Sequence, residues 1–179
     1  MRHRTRWIAA AVGVVVLAVV VVLATQIGSD PRADAKTSQL AGKPLPEFTV
    51  RTLDGTTITS DDLLGRSTIV NFWNTWCVPC VQEAPALARF GAAHAADDSV
   101  LLLAVVRDDT RRAVEKWVAS RDPAWTVALD PGGQAALAFG TRGQPETFAV
   151  SPDGVIVAYQ FGPATQADLE TMLRAAGGP

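Results

Sequence analysis

Cysteine is nearly absent. The 179 residues contain two, Cys77 and Cys80, so a scaffold stapled by several disulfides is excluded. Histidine is as scarce, and one of the two, His3, lies in the N-terminal tail, which argues against a His-rich metal site. No excess of basic charge exists either. The formal net charge is −2, and Arg2, Arg4 and Arg6 take three of the 16 basic residues, leaving 13 against 18 acidic ones after Gly28. That balance gives no electrostatic footprint for nucleic acid. Internal repeats are missing. With 48% apolar and 19% charged residues, the chain is neither disordered nor fibrous.

Charge is missing altogether from Trp7 to Ala24, where Val and Ala dominate and Gly13 is the one glycine. As a helix, Trp7 to Ile27 would be about 31 Å long, close to a bilayer core. A secretory signal has a shorter apolar region of about 7–15 residues with a small-x-small site directly behind it. Here the nearest such site, Ala33-Asp34-Ala35, lies well downstream, and no cysteine follows the run to make a lipoprotein signal. We therefore expect an uncleaved anchor over residues 7–28, with a cleaved signal as the alternative. The arginines before the run predict a cytoplasmic tail over residues 1–6 and an extracytoplasmic location for the rest. Residues 29–41 are polar and aperiodic, a linker.

Roughly 150 residues follow the apolar run, enough for one domain with a sizeable core. Patterning predicts strands at Glu47–Arg51 and Thr56–Thr59, joined by Asp54-Gly55, then a turn of helix capped by Ser60 and ended by Gly65. Further strands are expected at Thr68–Trp73, Val100–Val106 and Trp125–Leu129. Helices are expected at Val78–Ala95, interrupted by Pro85, at Thr110–Ser120 and near Gln134–Phe139. Thr147–Val150 and Val155–Phe161 flank the turn residues Ser151-Pro152-Asp153-Gly154, an antiparallel hairpin. Thr165 caps a last helix to Ala176, with Leu169, Met172 and Leu173 as its apolar stripe. Helices between the middle strands and a closing hairpin imply a mixed sheet.

Trp76-Cys77-Val78-Pro79-Cys80 falls where a strand ends and a helix begins. The unpaired N–H groups of a helix start favour thiolate at Cys77, by up to roughly 1.5 pKa units. Cys80, one turn further in, is expected to be the shielded partner, so that Cys77 attacks and Cys80 resolves. A plain staple is the rival, but closing so short a loop removes only about 2 kcal/mol of denatured-state entropy. Structural zinc needs four ligands, and no second Cys pair exists.

The run Val70-Asn71-Phe72-Trp73-Asn74-Thr75-Trp76-Cys77-Val78-Pro79-Cys80 resembles the active-site strand and turn of the thioredoxin superfamily. Val81-Gln82-Glu83-Ala84-Pro85 and the upstream Gly42-Lys43-Pro44-Leu45-Pro46-Glu47-Phe48 resemble its extracytoplasmic branch, the thiol–disulfide oxidoreductases of ResA, TlpA and CcmG type. Gly140-Thr141-Arg142-Gly143-Gln144-Pro145-Glu146-Thr147-Phe148 is similar to the segment carrying that branch's cis-proline. The resemblance covers about Gly42 to Ala176. It implies an α/β, thioredoxin-like fold over residues 42–179: a central mixed sheet flanked by helices, with an N-terminal β-hairpin extension and an inserted helix–strand element between about Val100 and Leu129.

For the site, the resemblance implies Cys77, Cys80, Glu83 and Pro145 as catalytic residues, with Pro145 cis and Pro85 kinking the active-site helix. Asn71 stands where cytoplasmic members bury an aspartate, and Glu83, on the helical face of Cys80, is implied as the proton acceptor. Trp76, Gln144 and Glu146 are expected to meet the substrate, Glu146 as an acidic groove residue that tunes the cysteines. Trp73 reads as packing. His94 is expected to face solvent unpaired, and the Arg107-Asp108-Asp109 loop to be solvated.

The branch implies a membrane-tethered extracytoplasmic reductase. Its protein substrate is the Cys-x-x-Cys-His disulfide of apocytochrome c, its electron donor a transmembrane thiol carrier, and its redox group the Cys77–Cys80 disulfide itself, with no other cofactor or metal. Two rivals remain: an oxidase that makes disulfides in secreted proteins, and a noncatalytic binding module or metallochaperone. The absence of Met or His beside the cysteines weakens the latter.

Overall fold

The computed structural model describes Trp7, residues 12–21 and residues 38–179. The chain forms two compact units, Met1–Ala35 and Lys36–Pro179. In the first, Trp7 and residues 12–21 are helical, with exposed side chains. Among the described residues, no helix is long and apolar enough to cross a membrane. The expected tail, half of the expected anchor and most of the expected linker lie outside the described residues.

The second unit is built on one seven-stranded sheet. Its strands are β1 (Thr49–Thr52), β2 (Thr57–Thr59), β3 (Ser67–Trp73), β4 (Val100–Val106), β5 (Thr126–Leu129), β6 (Glu146–Val150) and β7 (Ile156–Phe161). Their order is β2-β1-β5-β4-β3-β6-β7. Only β3–β4 and β4–β5 pair in parallel, so the sheet is mixed. The β1–β2 hairpin extends one edge and β5 is interposed between it and β4, as the N-terminal extension and the inserted element required. β3 and β4 bury nearly every residue, which explains why β4 is an unbroken apolar run.

Helices α1 (Val78–His94), α2 (Arg111–Arg121) and α4 (Gln166–Ala175) cover one face, and the short α3 (Gln134–Ala138) the other. On the α3 face, Phe72, Phe139 and Phe148 form an edge-to-face cluster with centroids 5.0–5.9 Å apart. Each such pair adds about 0.5–1.5 kcal/mol beyond burial. On the other face, Leu87 and Phe90 of α1 meet Leu169, Met172 and Leu173 of α4 over Ile69. Gly91 lets α1 approach the segment before β5: a Cβ there would lie 2.8 Å from the Ala124 carbonyl oxygen.

Four local expectations need correction. The turn Ser60–Leu63 is a 3₁₀ helix capped by Thr59, not Ser60, because Thr59 and Asp62 close a capping box one residue earlier. Helix α1 runs unbroken through Pro85, the lost N–H bond being absorbed inside a helix that is packed along its length. His94 is half-buried, stacked on Phe90 at 4.7 Å, with Nε2 3.1 Å from Glu170 Oε2. The Arg107–Asp109 loop is knitted into the site described next.

Candidate active site

β3 delivers the chain to Trp73, the turn Asn74–Trp76 reverses it, and α1 starts at Val78 with Cys77 as its N-cap. Pro79 in the first turn removes an N–H that would have had no intrahelical partner. The cap is made by sulfur: Cys77 Sγ accepts the Cys80 N–H at 3.2 Å. An N–H directed at that sulfur at a helix start favours its thiolate.

Cys77 and Cys80 are joined as a disulfide. The Gln144–Pro145 bond is cis, and the Gln144 carbonyl oxygen lies 3.8 Å from Cys77 Sγ. The cis-proline loop therefore forms the opposite wall of the sulfur site. The expected contrast in exposure between the two cysteines is slight, 5% for Cys77 against 2% for Cys80. Their surroundings differ more. Cys77 lies between Trp76 and Val78, which are 58% and 67% exposed, whereas Cys80 is followed along the helix by buried Glu83 and Ala84.

The loop after β4 holds this turn through the Asp109 side chain and the Asp108 backbone. Asp109 accepts the Thr75 N–H at 2.8 Å and the Thr75 hydroxyl at 2.6 Å. The Asp108 carbonyl accepts Trp76 Nε1 at 2.9 Å, and Asn74 Oδ1 accepts the Asp108 N–H at 2.9 Å. Arg107 Nη1 donates to the Gly143 carbonyl at 3.2 Å, tying the same loop to the cis-proline segment. Sequence patterning missed these roles because polar residues after a strand carry no periodic signal. Trp76 is thus fixed by its N–H with its ring face open, while Trp73 is buried against Trp117 at 4.5 Å.

Glu83 is 2% exposed on the cysteine face. Its Oε1 accepts Asn71 Nδ2 at 2.7 Å and its Oε2 accepts the Ala164 N–H at 2.8 Å. Burial pushes its pKa from 4.5 up to about 7, against the pull of the Ala164 and Asn71 donors. A carboxyl that titrates near neutrality suits proton transfer. Asn71 also donates to Thr147 Oγ1 at 3.0 Å, a contact that strand alternation two residues after Pro145 makes possible.

Glu146 corrects an expectation. Alternation along β6 turns it away from Thr147, to the face opposite the cysteines. It is 1% exposed. Its Oε1 accepts the Arg142 and Gly143 N–H groups, each at 2.6 Å, and its Oε2 accepts the Tyr159 hydroxyl at 2.8 Å. It braces the loop before Pro145 from behind and is not a groove residue. Among the described residues, no group of three or more His, Cys, Asp or Glu could hold a metal ion.

Residues 40–173 match the family model described as Redoxin. The thiol-disulfide oxidoreductase ResA of Bacillus thuringiensis subsp. konkukian (strain 97-27) is 32% identical over 133 residues, 74% of this chain and 76% of that protein. The thiol:disulfide interchange protein DsbE of Pseudomonas fluorescens biotype C is 36% identical over 121 residues, covering 66% and 65%. Among solved structures, StoA from Bacillus subtilis superposes with a TM-score of 0.63 at 28% identity, over 73% of this chain and 98% of that one. A helix-start Cys-x-x-Cys disulfide facing a cis-proline, in a chain so matched, belongs to the Redoxin family as a thiol–disulfide oxidoreductase of the ResA and DsbE type.

Proposed function

We propose that the protein is a membrane-tethered, extracytoplasmic reductase of protein disulfides, with the Cys-x-x-Cys-His disulfide of apocytochrome c as substrate. The observation that carries the chemistry is Cys77 Sγ capping α1 directly beside the Gln144–Pro145 loop. The substrate and the tether are supported by the resemblance to the ResA and CcmG branch and by the charge-free run behind three arginines.

In the reduced protein the Cys77 thiolate attacks a substrate sulfur, forming a mixed disulfide and releasing the other substrate sulfur as a thiolate, which takes a proton from solvent. Cys80 then passes its proton to the Glu83 carboxylate and attacks Cys77 Sγ. The Cys77–Cys80 bond forms and the second substrate sulfur leaves. The substrate gains two electrons and the protein loses two. A transmembrane thiol carrier restores the dithiol, and no further cofactor takes part. Direction rests on Glu83, since a buried carboxylate beside Cys80 disfavours a second negative charge and so the dithiolate form.

Trapping tests the assignment. Cys80→Ala should accumulate mixed disulfides with an apocytochrome c peptide, and Cys77→Ala none. Deletion in cells should lower covalent c-type cytochrome, with external thiol restoring it. Normal cytochrome with under-oxidised secreted proteins would establish an oxidase instead.

A further inference from the structure

Beyond the sulfurs, the cysteine face buries one polar cluster, Glu83, Asn71 and Thr147, at 2%, 0% and 0% exposure. The Asn71 amide spends its nitrogen twice, on Glu83 Oε1 and on Thr147 Oγ1. Its Oδ1 is buried with no partner among the described residues. An unmade buried acceptor is costly, so the orientation needs a reason. Turned over, the amide would still suit Thr147, whose hydroxyl both donates and accepts. It would not suit an ionised Glu83, which only accepts. The orientation present serves the carboxylate.

We propose that Asn71, held in this orientation by Thr147, is a positioning residue that keeps buried Glu83 an ionised proton acceptor for Cys80. This rests on the role given to Glu83 above. Burial alone drives the carboxyl toward its neutral form, and the donors from Ala164 and Asn71 oppose it. No charged side chain contributes to that balance. The elements packed on Glu83 present neutral groups: Asn71 from β3 and the Ala164 backbone before α4. Further along α1, Arg89 is engaged with Gln166 and His94 with Glu170. The titratable neighbours on its own helix end are Cys77 and Cys80. Asn71 is thus the side-chain donor on which the ionised state depends.

The test is a carbon-13 NMR titration of the Glu83 carboxyl in the full chain, with Glu83→Gln to identify the resonance. Beside it runs the pH profile of Cys80 alkylation by iodoacetamide in the reduced protein. Asn71→Leu should raise the carboxyl midpoint by about one to two pH units, the worth of one hydrogen bond to a charged acceptor. Thr147→Val, nearly isosteric and retaining the amide, should raise it by less, about half a unit. The Cys80 profile should move with both. A midpoint that stays in place in Thr147→Val, with only thermal stability reduced, overturns the proposal whether or not Asn71→Leu folds. A midpoint that rises while the Cys80 profile stays put upholds the positioning of Glu83 and removes Glu83 from the cysteine chemistry.

Discussion

The sheet buries one glutamate on each face, and the two are used differently. Glu83, on the cysteine face, has two donors, one of them an Asn amide that leaves its own oxygen unpaired. Glu146, on the other face, accepts from the Tyr159 hydroxyl and from two backbone N–H groups of the loop that leads to Pro145. Equal burial therefore does not mean equal duty. A carboxylate with one oxygen taken by two backbone N–H groups is a brace for main chain. One held by fewer donors against strong desolvation is poised to exchange a proton near neutrality.

The largest loss is expected at Glu146. Glu146→Ala leaves two backbone N–H groups and the Tyr159 hydroxyl without their acceptor and should cost about 3–5 kcal/mol, read as a lowered Tm. If that variant melts like the parent, the bracing role is wrong. Glu83 should instead show itself through pH. Its carboxyl holds a proton more tightly folded, near 7, than at its ordinary 4.5. The folded chain therefore carries the extra proton in that window, and stability falls as pH rises from about 4.5 through 7, by about 3 kcal/mol in all. Urea unfolding across this range should show the decline in the parent and lose it in Glu83→Gln. A parent curve that is flat or rising there would contradict the buried-acid reading.

Smaller effects separate the loops. Asp109→Ala removes the acceptor of the Thr75 N–H and hydroxyl and should cost about 1–2 kcal/mol, with slower exchange because the turn that presents Cys77 loosens. Tyr159→Phe removes one bond from Glu146 and should cost about 0.5–1.5 kcal/mol, leaving the pH dependence of exchange where it was. A shifted pH profile in Tyr159→Phe would mean that the two faces are coupled after all.

Much of the frame was legible in the residues themselves. The apolar run at Val100–Val106 is a central strand because both its faces are covered, which is what an unalternated run requires, and the strand expected at Thr68–Trp73 pairs beside it. Thr165 caps α4 as its spacing to Asp168 implies. Glu83 shares the face of Cys80 by helical spacing alone. What stayed hidden depends on pairing across the sheet. Whether Glu146 or Thr147 faces the cysteines is decided by register with β3, where Asn71 meets Thr147 and Phe72 meets Glu146. A one-residue difference in register would exchange their roles. The loop Arg107–Asp109 stayed hidden for a related reason: its partners, Thr75, Trp76 and Gly143, are brought to it only by the fold.

If Glu83, buried on the face of Cys80, disfavours the dithiolate, the couple is a reductant. The reduction potential of the Cys77–Cys80 pair, measured by equilibration with glutathione at pH 7, tests it directly. Strong oxidases of this chemistry lie near about −120 mV and thioredoxin near about −270 mV. A value more negative than about −200 mV is expected, at least about 3.7 kcal/mol from the oxidase end, and a less negative one in Glu83→Gln. A potential near about −120 mV, or one that Glu83→Gln leaves unmoved, would contradict it.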